Sequence, residues 1–558
     1  MSQLRGVMRT RSMVRRGSLA AVVMAVALFV GLLRARFLDQ SVSSSSQHRP
    51  VVAWALLLAP ARWLGSGSGL RSRRGMKTRV AAGLTAEPPL VAAPPPGDGA
   101  AAAAVVVWPV LEGEDLTVHF DTAVVEWAAA NDWSGKAGEV LLVPPPEAGQ
   151  QPSALLGLGD GSDPLVCGWL PRRLPRALGR CRIDWTKATS EAQRRNSVLA
   201  YGLGGYVFRG YAAQGPPAKP PPALELDADC EQEMAVLRGA YLARDLINMP
   251  ASHLSPEVLQ HTAESLAGFY GGRVKVVAGA ELEDGFPLIH AVGRAAADAA
   301  RAPRLIDLTW KGAAETTAPR ITLVGKGVTF DTGGLDLKPP AGMIGMKKDM
   351  GGAANVLGLA AMVMASGLPV RLRVLVPAVE NSVAGNAMRP SDVLRSRKGL
   401  TVEIGNTDAE GRLILADALA LADEEAPDLL VDMATLTGAH RVALGWDLPG
   451  VFTDDEVLAA ELARHGAAVA DPTWRLPLWR PYAEKLKSKV ADVNNIPSDA
   501  FGGAISAALF LQKFVEKAGS WVHIDFNGVN KESSAQPEGG ADQGIRSLFA
   551  VLAERYGR

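Results

Sequence analysis

The sequence predicts an α/β fold. A C-terminal domain is built on a mostly parallel or mixed sheet covered by helices, and a smaller α/β domain precedes it. Three observations carry this. Short Val/Leu/Ile-rich runs bounded by turn residues recur between about residues 304 and 436, helical patterns lie between several of them, and GPPAKPPPAL at 215–224 separates them from an earlier set of apolar runs. Near-continuous apolar strands alternating with helices are what a sheet buried on both faces requires. A run of prolines cannot continue a helix or a sheet interior, so 215–224 reads as a connector.

The chain has 558 residues, more than one domain's worth, and is 48% hydrophobic and 21% charged, ordinary for a globular protein with a sizeable core. Its formal net charge of zero hides an asymmetry. Residues 1–86 hold fourteen Lys or Arg and one acid, Asp39, which leaves 87–558 with 44 basic and 57 acidic residues, a net of −13. So acidic a body argues against a nucleic-acid partner. Three cysteines, Cys167, Cys181 and Cys230, are irregularly spaced and suggest neither a disulfide framework nor a thiolate metal site.

Residues 1–100 read as a targeting presequence and a low-complexity linker. An Arg-rich start runs to Arg16, and LAAVVMAVALFVGLL at 19–33 follows, which suits a signal-peptide core and is short for a membrane span. SVSSSSQHRP, VVAWALLLAPA at 51–61 and the basic GLRSRRGMKTR complete a two-part pattern like that of some algal plastid presequences. The mature body is then expected to be soluble, without a membrane segment, in a plastid or mitochondrion, with the cytoplasm as the alternative. A signal anchor, or a start at Met76, are the competing readings. EPPLVAAPPPGDGAAAAA is a linker by composition.

Residues 101–224 form the expected N-terminal α/β domain. VVVWPVL and EVLLVPP read as strands, and TSEAQRRNSVLAYGLGGYVF as a helix followed by a glycine break. Residues 225–558 form the larger domain. It opens with a helix from about Asp227 to Ile247, capped by Asp227 or Asp229 and stopped by NMPAS. RLIDLTW, ITLVGK, VRLRVLVPAV, LTVEIG and DLLVDMATL are predicted strands, and helices are predicted over 353–366, 413–425 and 455–469. No internal repeat is present in this domain. In such sheets ligands sit beyond the carboxyl ends of the strands, so the functional residues are expected after ITLVGK, LTVEIG and DLLVDMATL.

The stretch after the first of these, GKGVTFDTGGLDLKPPAGMIGMKKDMGGAAN at 325–355, is dense in Gly, Lys and Asp. It has no phosphate-loop spacing, and no H-E-x-x-H occurs anywhere in the chain. Asp331 and Asp349 follow one strand, and Asp408 and Glu410, in GNTDAEGRL at 405–413, follow another. Four carboxylates converging at adjacent strand ends would repel and raise each other's pKa. Two divalent cations would resolve this, and oxygen-rich ligation suits Mn²⁺, Mg²⁺ or Zn²⁺. Arg412 falls on the same side as Asp408 and Glu410 if the chain is extended there. Taken singly, each residue also fits a cap or a surface ion pair, with Asn406 or Thr407 starting the following helix. His440, beside a glycine turn, reads as a structural hydrogen-bonder.

In their order and spacing, GKGVTFDTGGLDLKP, MKKDMGGAAN, NTDAEGRL and MATLTGA resemble the leucyl aminopeptidase (cytosol aminopeptidase) family of dinuclear metallopeptidases. NTDAEGRL is that family's signature stretch. The likeness runs from about Arg244 to the C-terminus and includes RDLINMP at 244–250 and PEGGADQG at 537–544. It implies an enzyme that releases N-terminal, leucine-like residues from peptides by hydroxide attack at two metals, Mn²⁺ or Zn²⁺, with Mg²⁺ or Co²⁺ as alternatives. A changed substrate on the same scaffold, such as a Cys-Gly dipeptide, or a binding role without catalysis, is the alternative. Lys326, Asp331, Asp349, Asp408 and Glu410 would hold the metals. Lys338 and Arg412 would be catalytic, the latter holding a bicarbonate. Thr435, Leu436 and Gly438 would meet the substrate. A homohexamer is implied as well. Two departures stand out: Gly351 where many members have Cys, and Asp336 where many have Ser.

Overall fold

The computed structural model describes residues 87–92, 104–147, 150–185, 190–208, 211, 219–226, 230–296, 298–312 and 317–557. All lie in the unit Gly69–Arg558. The presequence reading of 1–86 lies outside the described residues. Among the described residues no helix is long and apolar enough to cross a membrane.

The first sheet has six strands: β1 (Leu90–Ala92), β2 (Val105–Val110), β3 (Val140–Val143), β4 (Ser153–Gly157), β5 (Arg180–Ile183) and β6 (Ala223–Leu226). Their order is β1-β6-β5-β2-β4-β3. Helix α1 (Glu191–Gly204) packs its apolar half on this sheet and starts with a capping box between Ser190 and Gln193. Two boundaries differ from expectation. Leu90–Ala92, inside the stretch read as linker, pairs in parallel with Leu224–Leu226, and β6 begins within the proline-rich connector and runs past residue 224. Both are edge-side strands of three or four residues, where prolines can flank a ladder without breaking it.

The second sheet carries the site. Its strands are β7 (Arg273–Ala278), β8 (Arg304–Lys311), β9 (Arg320–Gly325), β10 (Gly327–Asp331), β11 (Arg371–Asn381), β14 (Leu429–Ala434), β15 (Gly450–Phe452), β16 (Trp474–Arg475) and β18 (Trp521–Asp525). Their order is β16-β15-β18-β14-β9-β11-β8-β7, with β10 beside β11. The centre, β18-β14-β9-β11, is parallel; β8 and β15 run antiparallel to it at the flanks, and β7, antiparallel to β8, runs in the direction of the centre. All six residues of β14 are buried, as a strand covered on both faces must be. The pleat feeds two cores. Leu323, Val374, Val431 and Ile524 point into one, and Val324, Leu375 and Leu430 into the other.

Helices α2 (Glu231–Asn248) and α3 (Gly351–Ala365) cover the first face, and α4 (Gly411–Glu424) covers the second. Asp227 and Asp229, the expected caps of α2, lie outside the described residues; the N-cap position is Cys230. Helices over Pro256–Tyr270, Gly438–Leu444, Gly503–Gln512 and Ile545–Tyr556 add to those read from the sequence.

One strand is misplaced by the sequence reading. LTVEIG does not join the main sheet. Its strand β13 (Thr401–Glu403) lies in a separate three-stranded sheet, between β12 (Val393–Arg395) and β17 (Val493–Asn494). Three residues of half-buried strand carry too little local signal to say which sheet they join.

Candidate metal centre

Lys326 follows β9 directly, Asp331 ends β10, and Asn381 ends β11 beside it. Asp349 lies in the 3₁₀ turn Met346–Met350 that leads into α3, and Thr435 follows β14. Four strands and one turn therefore deliver side chains to one rim, the carboxyl ends of the central parallel strands, where such sheets form sites. Asp408 and Glu410 reach the same rim from the loop after β13, so they come from outside the main sheet.

That loop is not extended. Glu410 is the N-cap of α4, which begins at Gly411 rather than at Asn406 or Thr407, and it makes no side-chain cap hydrogen bond. Asn406 instead folds an Asx turn, its Oδ1 accepting from the Asp408 N–H at 2.7 Å. Thr407 is tied to the first loop: its hydroxyl donates to the Gly333 carbonyl at 2.6 Å, and its N–H donates to Asp336 Oδ2 at 2.8 Å. The extra carboxylate of Asp336 thus latches two loops together. Gly333, with φ +88°, makes the turn that brings its carbonyl there.

The ligand atoms of Asp331, Asp408 and Glu410 all lie within 4.8 Å of one another. Two lysines thread between the carboxylates. Lys326 Nζ lies 2.8 Å from Asp349 Oδ2, 3.1 Å from Glu410 Oε1 and 3.2 Å from the Thr435 carbonyl. Lys338 Nζ lies 2.8 Å from Asp331 Oδ2 and also touches Asp408 Oδ1. Asn381 Nδ2 donates to Asp331 Oδ1 at 2.9 Å, and the Thr435 hydroxyl donates to Asp349 Oδ1 at 2.9 Å.

Lys326, Asp331, Asp349 and Glu410 are each 1–3% exposed. Burial and then Asp331 push Glu410 well above the usual carboxylate range, and burial also raises Asp349 against the pull of Lys326. Burial and Asp331 push Asp408 up to about 6. Burial alone would lower Lys326 and Lys338, but Asp349 and Glu410 hold the first, and Asp331 and Asp408 the second, above the ordinary lysine range. Four carboxylates outnumber the two ammonium groups that pair with them, and Glu410 Oε2 has no hydrogen-bond partner among the described residues. Such a donor set fits divalent cations, which would supply the missing charge.

Arg412 is buried and makes no ion pair with Glu410 among the described residues. Its Nη1 donates to the Asn495 carbonyl at 2.6 Å, its Nε is unpartnered, and burial pulls the guanidinium down to about 10. Leu436 is half-buried and Gly438 exposed at the start of the helix 438–444. His440 Nδ1 lies 2.7 Å from the Thr437 carbonyl and 3.2 Å from Asp525, a hydrogen-bonding place away from the carboxylates. Three supporting residues escaped the sequence reading: Asn381, Asn495 and Asp525. Each acts on partners 26–90 positions away, and a lone Asn or Asp has no local signal for that.

Residues 241–549 match the model of the cytosol aminopeptidase family, catalytic domain. A probable cytosol aminopeptidase of Nitratidesulfovibrio vulgaris is 46% identical over 326 residues, which are 57% of this chain and 63%, under two thirds, of that protein. One of Roseiflexus castenholzii is 38% identical over 453 residues, 76% of this chain and 91% of its own. Among solved structures, the cytosol aminopeptidase of Coxiella burnetii aligns over 81% of this chain and 98% of its own, at 41% identity and TM-score 0.76. The bottromycin maturation enzyme BotP in complex with Mn aligns over 82% and 100%, at 33% identity and TM-score 0.72. With more than half the chain matched by the family model, and a relative 38% identical covered over 91% of its length, the chain belongs to the cytosol aminopeptidase family.

Proposed function

We propose that the protein is an aminopeptidase that releases single N-terminal residues, leucine-like ones preferred, from peptides at a centre of two divalent ions. The observation that carries this is the buried carboxylate cluster with its unpartnered Glu410 oxygen. Asp331, Asp349, Asp408 and Glu410 would hold the ions with Lys326, whose Nζ must first release its proton to solvent, so metal uptake and proton release are coupled. Mn²⁺ or Zn²⁺ suit the donors best, and the relative that holds Mn supports the former. When bound, the ions would polarise the scissile carbonyl and make a water nucleophilic at neutral pH.

The chain's own residues do the rest. Lys338, held by Asp331 and 15% exposed at its side chain, presents an ammonium to the oxygen that becomes negative as the carbonyl is attacked. Arg412 keeps Nε free for an oxyanion, and its planar fork suits a bicarbonate that takes and returns a proton. The loop Thr435–Gly438 lines the pocket for the first side chain.

The test is hydrolysis of leucine amide by the purified, Mn²⁺-loaded chain. Activity is lost on chelation and falls about 100-fold or more in Glu410→Ala. Normal turnover in that variant would sink the two-metal model. Light scattering tests the proposed hexamer, and a fluorescent fusion of residues 1–100 tests the proposed organelle.

A further inference from the structure

The loop proposed to line the substrate pocket is held from behind by one side chain. Asp525 ends β18, paired with Ala434 at the end of β14, so its carboxylate lies beside the chain as it leaves the sheet. It is 0% exposed. Oδ1 accepts from the Leu436 N–H at 2.9 Å and the Thr437 N–H at 3.2 Å, and Oδ2 accepts from the Thr437 hydroxyl at 2.6 Å. His440 Nδ1 lies 3.2 Å from Oδ1. The other side of the loop faces the metal centre, where the Thr435 carbonyl accepts from Lys326 and its hydroxyl donates to Asp349. Three residues, Thr435 to Thr437, are thus clamped between the carboxylate cluster and one buried aspartate.

A second buried polar group lies further back on the same strand. His523, on the same face of β18, pairs with Asp432 at 2.6 Å, and Asp432 also accepts from the Trp521 indole at 2.8 Å, all three buried. A buried carboxylate that accepts from two successive backbone N–H groups and a hydroxyl sets the path of that backbone to within a fraction of an ångström.

We propose that Asp525 is a positioning residue: it fixes the Thr435–Gly438 loop and thereby sets the selectivity for the substrate's first side chain. This deepens the aminopeptidase reading and rests on it. Asp525 touches neither the proposed metal ligands nor the reacting atoms; it acts through Leu436 and Thr437.

Two variants test this in the full, Mn²⁺-loaded chain, with leucine and alanine amides as probes. Asp525→Asn keeps the shape but turns one acceptor into a donor. Thr437→Val removes the hydroxyl alone and carries the test if the first variant does not fold. The expected result is a rise in KM for leucine amide and an about tenfold collapse of the leucine-to-alanine ratio in kcat/KM, smaller in Thr437→Val, with the metal content by elemental analysis unchanged. A folded variant with the parent's ratio overturns the proposal, as does a loss confined to kcat or to metal content. A parent chain that hydrolyses neither amide overturns the aminopeptidase reading and this inference with it, whereas an active parent with unchanged selectivity in the variants overturns this inference alone.

Discussion

Replacing Gly411 with alanine places a methyl carbon 2.4 Å from Lys326 Cε and 2.6 Å from its Nζ. Ordinary carbon contacts lie near ~3.5–4.0 Å, so the lysine tip must retreat by about 1 Å. It has nowhere to go without loss, because Nζ is held by Asp349 at 2.8 Å, Glu410 at 3.1 Å and the Thr435 carbonyl at 3.2 Å. Two stability effects oppose each other. Alanine in a helix gains about 0.5–1 kcal/mol over glycine, and overpacking a filled site costs about 1–3 kcal/mol. The net change in stability is therefore a loss of about 0–2.5 kcal/mol. Activity behaves differently, because a misplacement of about 1 Å in a catalytic constellation can cost roughly 100-fold. Gly411→Ala is expected to stay folded, with a melting temperature close to the parent's, and to lose about 100-fold in kcat/KM on leucine amide. A folded variant within about threefold of the parent would refute the claim that Lys326 is pinned by close packing.

Other outcomes follow from the same structure. Burial alone would raise Asp542, but Arg244 and Arg546 hold it at about 2 against an ordinary 3.8, so its contribution to stability is present above pH 3.8 and is lost as pH falls through about 2. Asp542→Asn is expected to cost about 3–5 kcal/mol in urea unfolding at neutral pH, and to flatten the loss of stability between about pH 4 and 2. Burial pushes the thiols of Cys167 and Cys181 up to about 11 and about 12, so Ellman's reagent should leave both untouched in the native chain and titrate all three cysteines in urea. Gly268, in the helix Pro256–Tyr270, has open space where a Cβ would sit, so Gly268→Ala should raise stability by about 0.5–1 kcal/mol by denaturant titration without touching activity.

Much of the centre was legible because its determinants are local. Val/Leu-rich runs declare buried strands, and GKGVTFDTGG or NTDAEGRL carry several charged side chains within a few residues of a glycine turn. The ordering of those motifs along the chain points to one rim of one sheet. The surroundings were not legible, for a common reason. Asn495, which accepts Arg412 on its carbonyl and receives the Gly405 N–H on its side chain at 2.7 Å, lies 90 residues from Gly405. RDLINMP and PEGGADQG stand out at opposite ends of the domain. Only the structure joins them, through Arg244 Nε donating to Asp542 at 2.6 Å across 298 positions.

By itself, then, the sequence determined the α/β class, the charged side chains grouped after the strands, and the strands that deliver Lys326 and Thr435, since hydrophobic period and turn residues act over a few positions; the short strand Gly327–Asp331 that carries Asp331 was not read from it. Tertiary structure alone decided that LTVEIG leaves the main sheet, that α4 starts at Gly411 with Glu410 as its N-cap, and that Leu90–Ala92 is a strand rather than a linker. It also decided that Asp336 accepts from the Thr407 backbone, and that Asp525 stands behind the Thr435–Gly438 loop. These depend on which distant backbone groups compete for the same hydrogen-bond partner, and burial settles that competition only once the whole chain has packed.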